Sequence, residues 1–248
     1  KWNGSQLNKL KAIILAAGKG ERLGDITKNI PKPMIEVEGK PILEHNIEMC
    51  KQARVKDLFI NLHHLPDRIT EYFQNGKKYG VNLTYLYESE IRGTAGALLP
   101  IINKLGNPFL VIYGDNYSKF NLKKLIQFHH EKDSDFTITL HWRKDTSTSG
   151  VVEINKKWKI IKFIEKPIPG EIRSNWVNAG IYIINPAIIK NMIKPNIDFA
   201  SNVIPLLIEK KCRLFGFKMD KKVYAIDTPR TLNETMSQTS KVSDSVHN

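Results

Sequence analysis

The sequence predicts an α/β fold: a mostly parallel sheet with helices on both faces and an α+β extension in the second half of the chain. Three observations carry this. The run Ala12-Ile13-Ile14-Leu15-Ala16-Ala17 is apolar at every position, the mark of a parallel strand buried on both faces. Similar runs then alternate with amphipathic helical stretches over the first half of the chain, which is the rhythm of β-α-β units. Beyond Trp142 the rhythm changes to short strands in pairs. At 248 residues the chain suits one large domain that buries about three quarters of its unfolded surface, so no disulfide or metal staple is required.

After the first strand, Gly18, Gly20 and Gly24 are interleaved with Lys19, Arg22, Lys28 and Lys32. Glycines let a backbone approach a ligand, and free N–H groups in such a turn cradle an anion. Four cations on one loop argue for a highly charged anion, so a polyphosphate site is expected at the carboxyl end of this strand. Leu15, Ala16, Ala17, Gly18, Lys19 and Gly20 would form the cradle. No Walker A string occurs. The dinucleotide fingerprint also fails, because the spacing is G-x-G-x-x-x-G and Pro31 and Pro33 fall where its helix should still run. Proline inside a helix costs about 3 kcal/mol.

A helix is predicted over Ile42 to Ala53, started by Pro41, with Ile42, Leu43, Ile47 and Cys50 on one face. Strands follow at Asp57 to His64, Asn82 to Glu88, Phe109 to Tyr113 and Phe136 to Trp142. Helices are predicted at Pro66 to Lys78, Thr94 to Leu105 and Asn121 to Lys132, with Thr94 and Asn121 as caps. In the second half, Gly150 to Ile154 and Trp158 to Glu165 read as a hairpin and Val177 to Ile184 as an apolar strand. Pro186 to Ile193 and Ala200 to Lys211 read as helices. Cys212 to Lys218 and Lys222 to Ile226 read as a second hairpin around Asp220-Lys221. A short helix is predicted at Thr228 to Met236, and the polar stretch from Ser237 reads as frayed. The expected organisation is one domain over 10–236, with 10–145 carrying the polyphosphate loop, 146–236 as the α+β extension that completes the site, and flexible ends (1–9 and 237–248).

The net charge of +13 and pI near 9.6 invite a nucleic-acid reading. The lysines, however, are spread along the chain in pairs, with no run of five and no helix-turn-helix, zinc-finger or RNP pattern. An excess of positive charge equally suits anionic small molecules. No apolar run reaches the roughly 18 to 20 residues of a membrane helix, so no membrane partner is expected. The opening KWNGSQLNKLK lacks a signal-peptide core and an initiator Met, which reads as a trimmed end. Cys50 and Cys212 read as free thiols, and the cytoplasm is the expected compartment.

Asp115 follows the apolar run FLVIY and a glycine, at the strand end where open α/β sheets bind ligands. A rigidly supported carboxylate there suits a Mg²⁺ ligand. Asp227 ends Tyr224-Ala225-Ile226 and precedes Thr228-Pro229; as a residue type it fits a helix cap as well as a metal ligand. His63-His64 ends a strand and would line the site, whereas His129-His130 reads as a solvated helix face. No nucleophile elbow is present.

Together these motifs resemble the sugar-1-phosphate nucleotidylyltransferases, whose signature LAGGxGTRL…PKPM stands here as LAAGKGERL…PKPM. The resemblance extends in order through G-T-A-G, G-D115, Glu165-Lys166-Pro167, Val177-Asn178-Ala179-Gly180 and the terminal Asp227. It implies the nucleotide-diphospho-sugar transferase type of Rossmann-like sheet with an α+β sugar-binding extension. The implied reaction makes an NDP-sugar and pyrophosphate from an NTP and a sugar 1-phosphate, with Mg²⁺ as cofactor. Arg22 would hold the leaving pyrophosphate, Lys32 the α-phosphate and Lys166 the sugar phosphate, with Asp115 and Asp227 on the metal. Glu88, Gly93 and Thr94 would meet the nucleobase; Gly150, Glu165 and Asn178 would meet the sugar. The string ESEIRGTAGAL looks most like mannose- or manno-heptose-1-phosphate guanylyltransferases, with GTP as the base donor. A uridylyl- or cytidylyltransferase is the alternative, and a non-catalytic NDP-sugar-binding regulator is a further one. The family's D-x-G-T-P is altered: Ala225 stands at its metal position and Asp227 in place of the Gly. Glu21 replaces the usual Thr of the loop, where a carboxylate repels phosphate unless Lys19 compensates. A homodimer is the assembly held open.

Overall fold

The computed structural model describes residues 10–244. The first strand, β1, spans Lys11–Leu15. The glycine loop follows and contains a 3₁₀ turn at Glu21–Leu23 and one helical turn, α1, at Ile26–Asn29. A second 3₁₀ turn covers Lys32–Met34, where Pro31 and Pro33 leave no room for a longer helix. Then come β2 (Glu36–Val37), β3 (Lys40–Pro41), α2 (Ile42–Gln52), β4 (Asp57–Leu62), α3 (Pro66–Phe73) and β5 (Asn82–Tyr87). The first half closes with β6 (Phe109–Tyr113), β7 (Asn116–Tyr117), α4 (Leu122–Glu131) and β8 (Phe136–Trp142). The second half contains β9 (Gly150–Ile154), β10 (Ile160–Glu165), β11 (Trp176–Ile184), α5 (Ile204–Glu209), β12 (Leu214–Lys218), β13 (Tyr224–Ala225) and α6 (Pro229–Asp244).

Nine strands form the main sheet in the order β10-β9-β11-β6-β1-β4-β5, with β8 added beside β11 and β12 beside β8. β1 pairs in parallel with β4 and β6, and β4 with β5. β11 runs antiparallel to β6, which joins the extension to the parallel half. Along β1 the apolar run divides between two cores. Ala12 and Ile14 pack with α2, α3 and α4 on one face, while Ile13 packs with Phe199, Val203, Ile204 and Leu207 on the other. All three β1 residues are fully buried. Ile13 and Ile14 each contribute about 1.5–3 kcal/mol, and burial on both faces is why the strand reads as continuously apolar.

Several predicted elements are corrected. The helix expected over Thr94 to Leu105 is a single 3₁₀ turn, Gly96–Leu98. The N–H groups of Ala95 and Gly96, which a helix starting at Thr94 would leave without an intrahelical partner, donate to the Ile197 carbonyl, both at 3.0 Å. The stretch Pro186 to Ile193 forms two 3₁₀ turns rather than one helix. The helix predicted from Ala200 starts as a π turn, Phe199–Val203, before α5; Pro205 has no N–H to close a regular turn there. The second hairpin does not exist: β12 pairs in parallel with β8, and β13 pairs with β7. α6 continues past Met236 to Asp244, where fraying was expected, and buries Thr235 and Thr239. His129 is not on a solvated face; it is buried, 2.8 Å from the Thr137 hydroxyl. The N-terminal reading falls largely on residues 1–9, outside the described residues. Among the described residues, no helix is long and apolar enough to cross a membrane.

Candidate functional site

The register of the parallel strands fixes where the site lies. Leu15 at the end of β1 stands beside Asn61 of β4 and Tyr113 of β6. The glycine loop, Asn61 and Asp115 therefore leave the sheet at the same carboxyl edge, where ligands of such sheets bind. Gly114 makes the crossing close. Its N–H donates to the Leu15 carbonyl at 2.9 Å, and a Cβ on it would stand 2.7 Å from that oxygen.

The loop is stitched from below. Thr27 donates its hydroxyl to the carbonyls of Gly20 (3.0 Å) and Gly24 (3.2 Å), and His64 Nε2 donates to the Thr27 carbonyl at 2.7 Å. Gly20 has φ +69°, and a Cβ there would meet Thr27 Cγ2 at 2.9 Å; only glycine takes this position without strain. His64 thus supports the loop rather than lining the cavity. His63 Nδ1 lies 2.8 Å from the Glu88 carbonyl oxygen.

A cavity of about 710 Å³ opens above this edge. Its floor is the cradle Leu15, Ala16, Ala17, Gly18, Lys19 and Gly20; Glu21 and Arg22 lie beside it. Lys32, Asp115 and Asp227 stand on one side, and Gly93 and Thr94 on another. Of the residues expected to bind nucleotide or metal, all but Glu88 reach this wall.

The charged centre is tightly knit. Lys32 is almost fully buried, its side chain 8% exposed, and its Nζ lies 2.5 Å from Asp115 Oδ2 and 2.7 Å from Asp227 Oδ1. Arg22 reaches Asp227 Oδ1 at 3.1 Å. Burial disfavours the Lys32 charge, but the fields of Asp115 and then Asp227 outweigh it and raise the pKa. Burial likewise pushes the Asp227 carboxyl up, and Lys32, Arg22 and Arg143 more than reverse it, leaving the pKa below its ordinary value. Glu21 is exposed at the rim of the cavity, its carboxylate 4.0 Å from the Lys19 ammonium.

Glu88 is buried under the wall with both oxygens committed. Asn61 Nδ2 donates to Oε1 and the Arg92 N–H to Oε2, each at 3.0 Å. Asn61 Oδ1 in turn accepts the Ala16 N–H at 2.8 Å. This relay ties the cradle to the 88–93 segment. Sequence reasoning missed Asn61; its signal is a lone polar residue inside the apolar run of β4. It also missed Asp198, which lines the cavity and whose Oδ1 accepts both the Thr94 N–H (2.8 Å) and hydroxyl (2.9 Å).

The residues expected to meet the sugar lie apart from that wall. Gly150 faces Glu165 across the β9–β10 ladder, where a Cβ would meet Phe163 Cζ at 2.6 Å and Glu165 Oε2 at 2.7 Å. Burial raises the Glu165 pKa, against the pull of Lys166. Lys166 is exposed and has φ +51°. Asn178 spends its amide on the Tyr182 hydroxyl (2.6 Å) and the Gly180 N–H (2.9 Å).

The Asp115–Asp227 pair fits a hard divalent cation in donor chemistry: two carboxylates converge on one positive charge, here the Lys32 ammonium. Among the described residues, no group of three or more His, Cys, Asp or Glu is arranged to hold a metal, so further ligands would come from water or substrate.

A family model described as nucleotidyl transferase matches residues 11–227. A UTP–glucose-1-phosphate uridylyltransferase from Synechocystis is 33% identical over 85% of this chain and 58% of its own length. A mannose-1-phosphate guanyltransferase from Saccharomyces cerevisiae is 32% identical over 85% and 59%. The chain thus spans little more than half the length of these curated relatives. Among solved structures, a protein described as a glucose-1-phosphate thymidylyltransferase from Bacillus anthracis superposes with a TM-score of 0.83 at 26% identity, covering 93% of this chain and 95% of that one. With a mixed sheet of the same form and the loop, carboxylates and cations gathered at its carboxyl edge, the chain belongs to the nucleotidyl transferase family, among the sugar-1-phosphate nucleotidylyltransferases.

Proposed function

We propose that the chain transfers a nucleotidyl group from an NTP to a sugar 1-phosphate, releasing pyrophosphate, with GTP and mannose or manno-heptose 1-phosphate as the first pair to test. The observation that carries this is the convergence of Arg22, Lys32, Asp115 and Asp227 on the cradle of the glycine loop. A sugar phosphate is already ionised at neutral pH, so no covalent intermediate on the protein is needed. Positioning and charge neutralisation supply the catalysis. The free N–H groups of the loop would hold the triphosphate, and Arg22 the departing pyrophosphate. Lys32 would neutralise the α-phosphate as the incoming oxygen attacks in line. Lys166 and Glu165 would hold the sugar phosphate and a sugar hydroxyl. Asp115 and Asp227 would hold Mg²⁺, which when bound neutralises phosphate oxygens.

Glu88, Gly93 and Thr94 stay assigned to the nucleobase side, with Glu88 shaping the wall through the Arg92 N–H rather than touching the base directly. Gly150 and Asn178 stay assigned to the sugar. Names of relatives support both guanylyl and uridylyl transfer, so a uridylyl- or cytidylyltransferase remains the second reading. The domain organisation, a cytoplasmic location and a homodimer belong to the same proposal. A pyrophosphate-release screen of four NTPs against a panel of sugar 1-phosphates with Mg²⁺ tests it. Release with one favoured pair is expected, and no release with any pair overturns it in favour of a non-catalytic NDP-sugar-binding regulator.

A further inference from the structure

The Lys32 ammonium sits where a cation shared by Asp115 and Asp227 would sit. It touches one oxygen of each carboxylate, and Arg22 touches the Asp227 oxygen as well. Two carboxylates thus face two cations, and the local charge is balanced without any added ion. A divalent ion placed between the carboxylates would meet the ammonium within contact distance, in a setting where burial weakens solvent screening.

The anchoring of Lys32 lets its two ends behave differently. Its backbone is held in the 3₁₀ turn Lys32–Met34 between Pro31 and Pro33. Its Cβ packs against the glycine loop, 3.2 Å from where a Cβ on Gly20 would stand. The ammonium, by contrast, ends a flexible four-carbon stem and can exchange carboxylate for phosphate without moving the backbone.

We infer that Lys32 is an internal counter-ion that occupies the cation seat of Asp115 and Asp227 in the nucleotide-free protein and excludes a divalent ion from it until a phosphate draws the ammonium away. The inference rests on the reading of the two aspartates as cation ligands. Its consequence is a binding order. The divalent ion binds the free protein weakly, and nucleotide and ion bind with positive coupling because the phosphates give Lys32 another partner. Linkage makes that coupling equal in both directions. The arrangement also keeps the two carboxylates from repelling one another when no ligand is bound.

The test is Mn²⁺ binding to the nucleotide-free protein, followed by the EPR signal of free Mn²⁺, for wild type, Lys32→Met and Lys32→Met/Asp115→Asn. Lys32→Gln is run in parallel, so that a folding defect in one neutral variant does not decide the result; thermal melts check both. The expected result is Mn²⁺ affinity at least about tenfold higher in the neutral variants than in wild type, and a return to wild-type affinity or below in the double variant. Unchanged or weaker Mn²⁺ binding in folded Lys32→Met or Lys32→Gln overturns the inference. A gain that survives Asp115→Asn places the ion elsewhere and also overturns it. The outcome separates from that of the transferase reading: a Mn²⁺ gain with no pyrophosphate release in any pair would keep the counter-ion and remove the catalysis.

Discussion

The two sides of the site are built differently. On the side proposed to hold the nucleotide, charged groups are paired: Lys32 bridges Asp115 and Asp227, and Thr27 and His64 lock the loop. On the side proposed to hold the sugar, Lys166 is exposed and, among the described residues, has no ion pair within 4.0 Å. Glu165 is half-buried, with burial raising its pKa. Asn178 is committed to its own strand. A triphosphate carries enough charge to repay a preorganised, desolvated cluster. A sugar phosphate offers hydroxyls and one phosphate, which a more open wall can bind. The contrast predicts that changes on the nucleotide side act on turnover and those on the sugar side on substrate affinity.

The largest effect is expected at the fixed cluster. Asp115→Ala or Lys32→Ala should lower kcat for pyrophosphate release by about 10² or more. Near-wild-type turnover in either would erase the difference between the two sides. Next, Lys166→Ala should raise KM for the sugar phosphate about tenfold or more, the worth of one charge-assisted hydrogen bond, with KM for the nucleotide nearly unchanged. Equal effects on both KM values would show that Lys166 serves the nucleotide instead.

A smaller effect is expected at Thr94, in the cavity wall. Thr94→Val removes the hydroxyl that joins Asp198 to the Phe199 N–H. It should cost about 1–3 kcal/mol in urea unfolding, because Asp198 and the Phe199 N–H lose a partner. No loss would mean that the segment is held by its backbone bonds, the position-94 N–H to Asp198 and the Ala95 and Gly96 N–H groups to Ile197, without the hydroxyl.

The gentlest effect lies away from the site. Burial lowers the pKa of His129 and of His141 to about 4, so both stay neutral in the folded chain. Unfolded, each titrates near 6.5. Between those values the unfolded chain binds more protons, so stability falls as pH drops from about 6.5 to about 4. Each histidine contributes up to about 1.4 kcal/mol per pH unit. Urea midpoints across that range, compared with His129→Gln, should show a shallower slope in the variant; an identical slope would remove His129 from the account.

How much of this was legible can be argued residue by residue. The signature loop was readable because its evidence is local: glycines for positive φ, prolines against a helix, cations for phosphate. Asp115 was readable because it follows an apolar strand and a glycine. The false hairpin at Asp220-Lys221 shows the opposite case. The chain bends there, yet β12 goes to β8 and β13 to β7, and no local signal states which distant strand offers unpaired backbone groups. The 94–105 helix failed for a similar reason: the start of the segment is tied to Ile197 and Asp198, about a hundred residues away, and no local signal shows that contact. Glu88 was chosen for its chemistry. Its actual task was set by Asn61, which the pattern of β4 hid among apolar neighbours.

By itself, then, the sequence determined the α/β sheet, the phosphate loop and the types of charge around it, because these depend on periodicity, propensity and chemistry within short stretches. Only the tertiary structure decided which charges meet. Lys32, Asp115 and Asp227 are separated by 83 and 195 positions. What brings them within hydrogen-bond distance is the parallel register of β1 with β6 and the pairing of β13 with β7. Pairing of that kind is a property of the assembled sheet, fixed by the burial of whole strand faces.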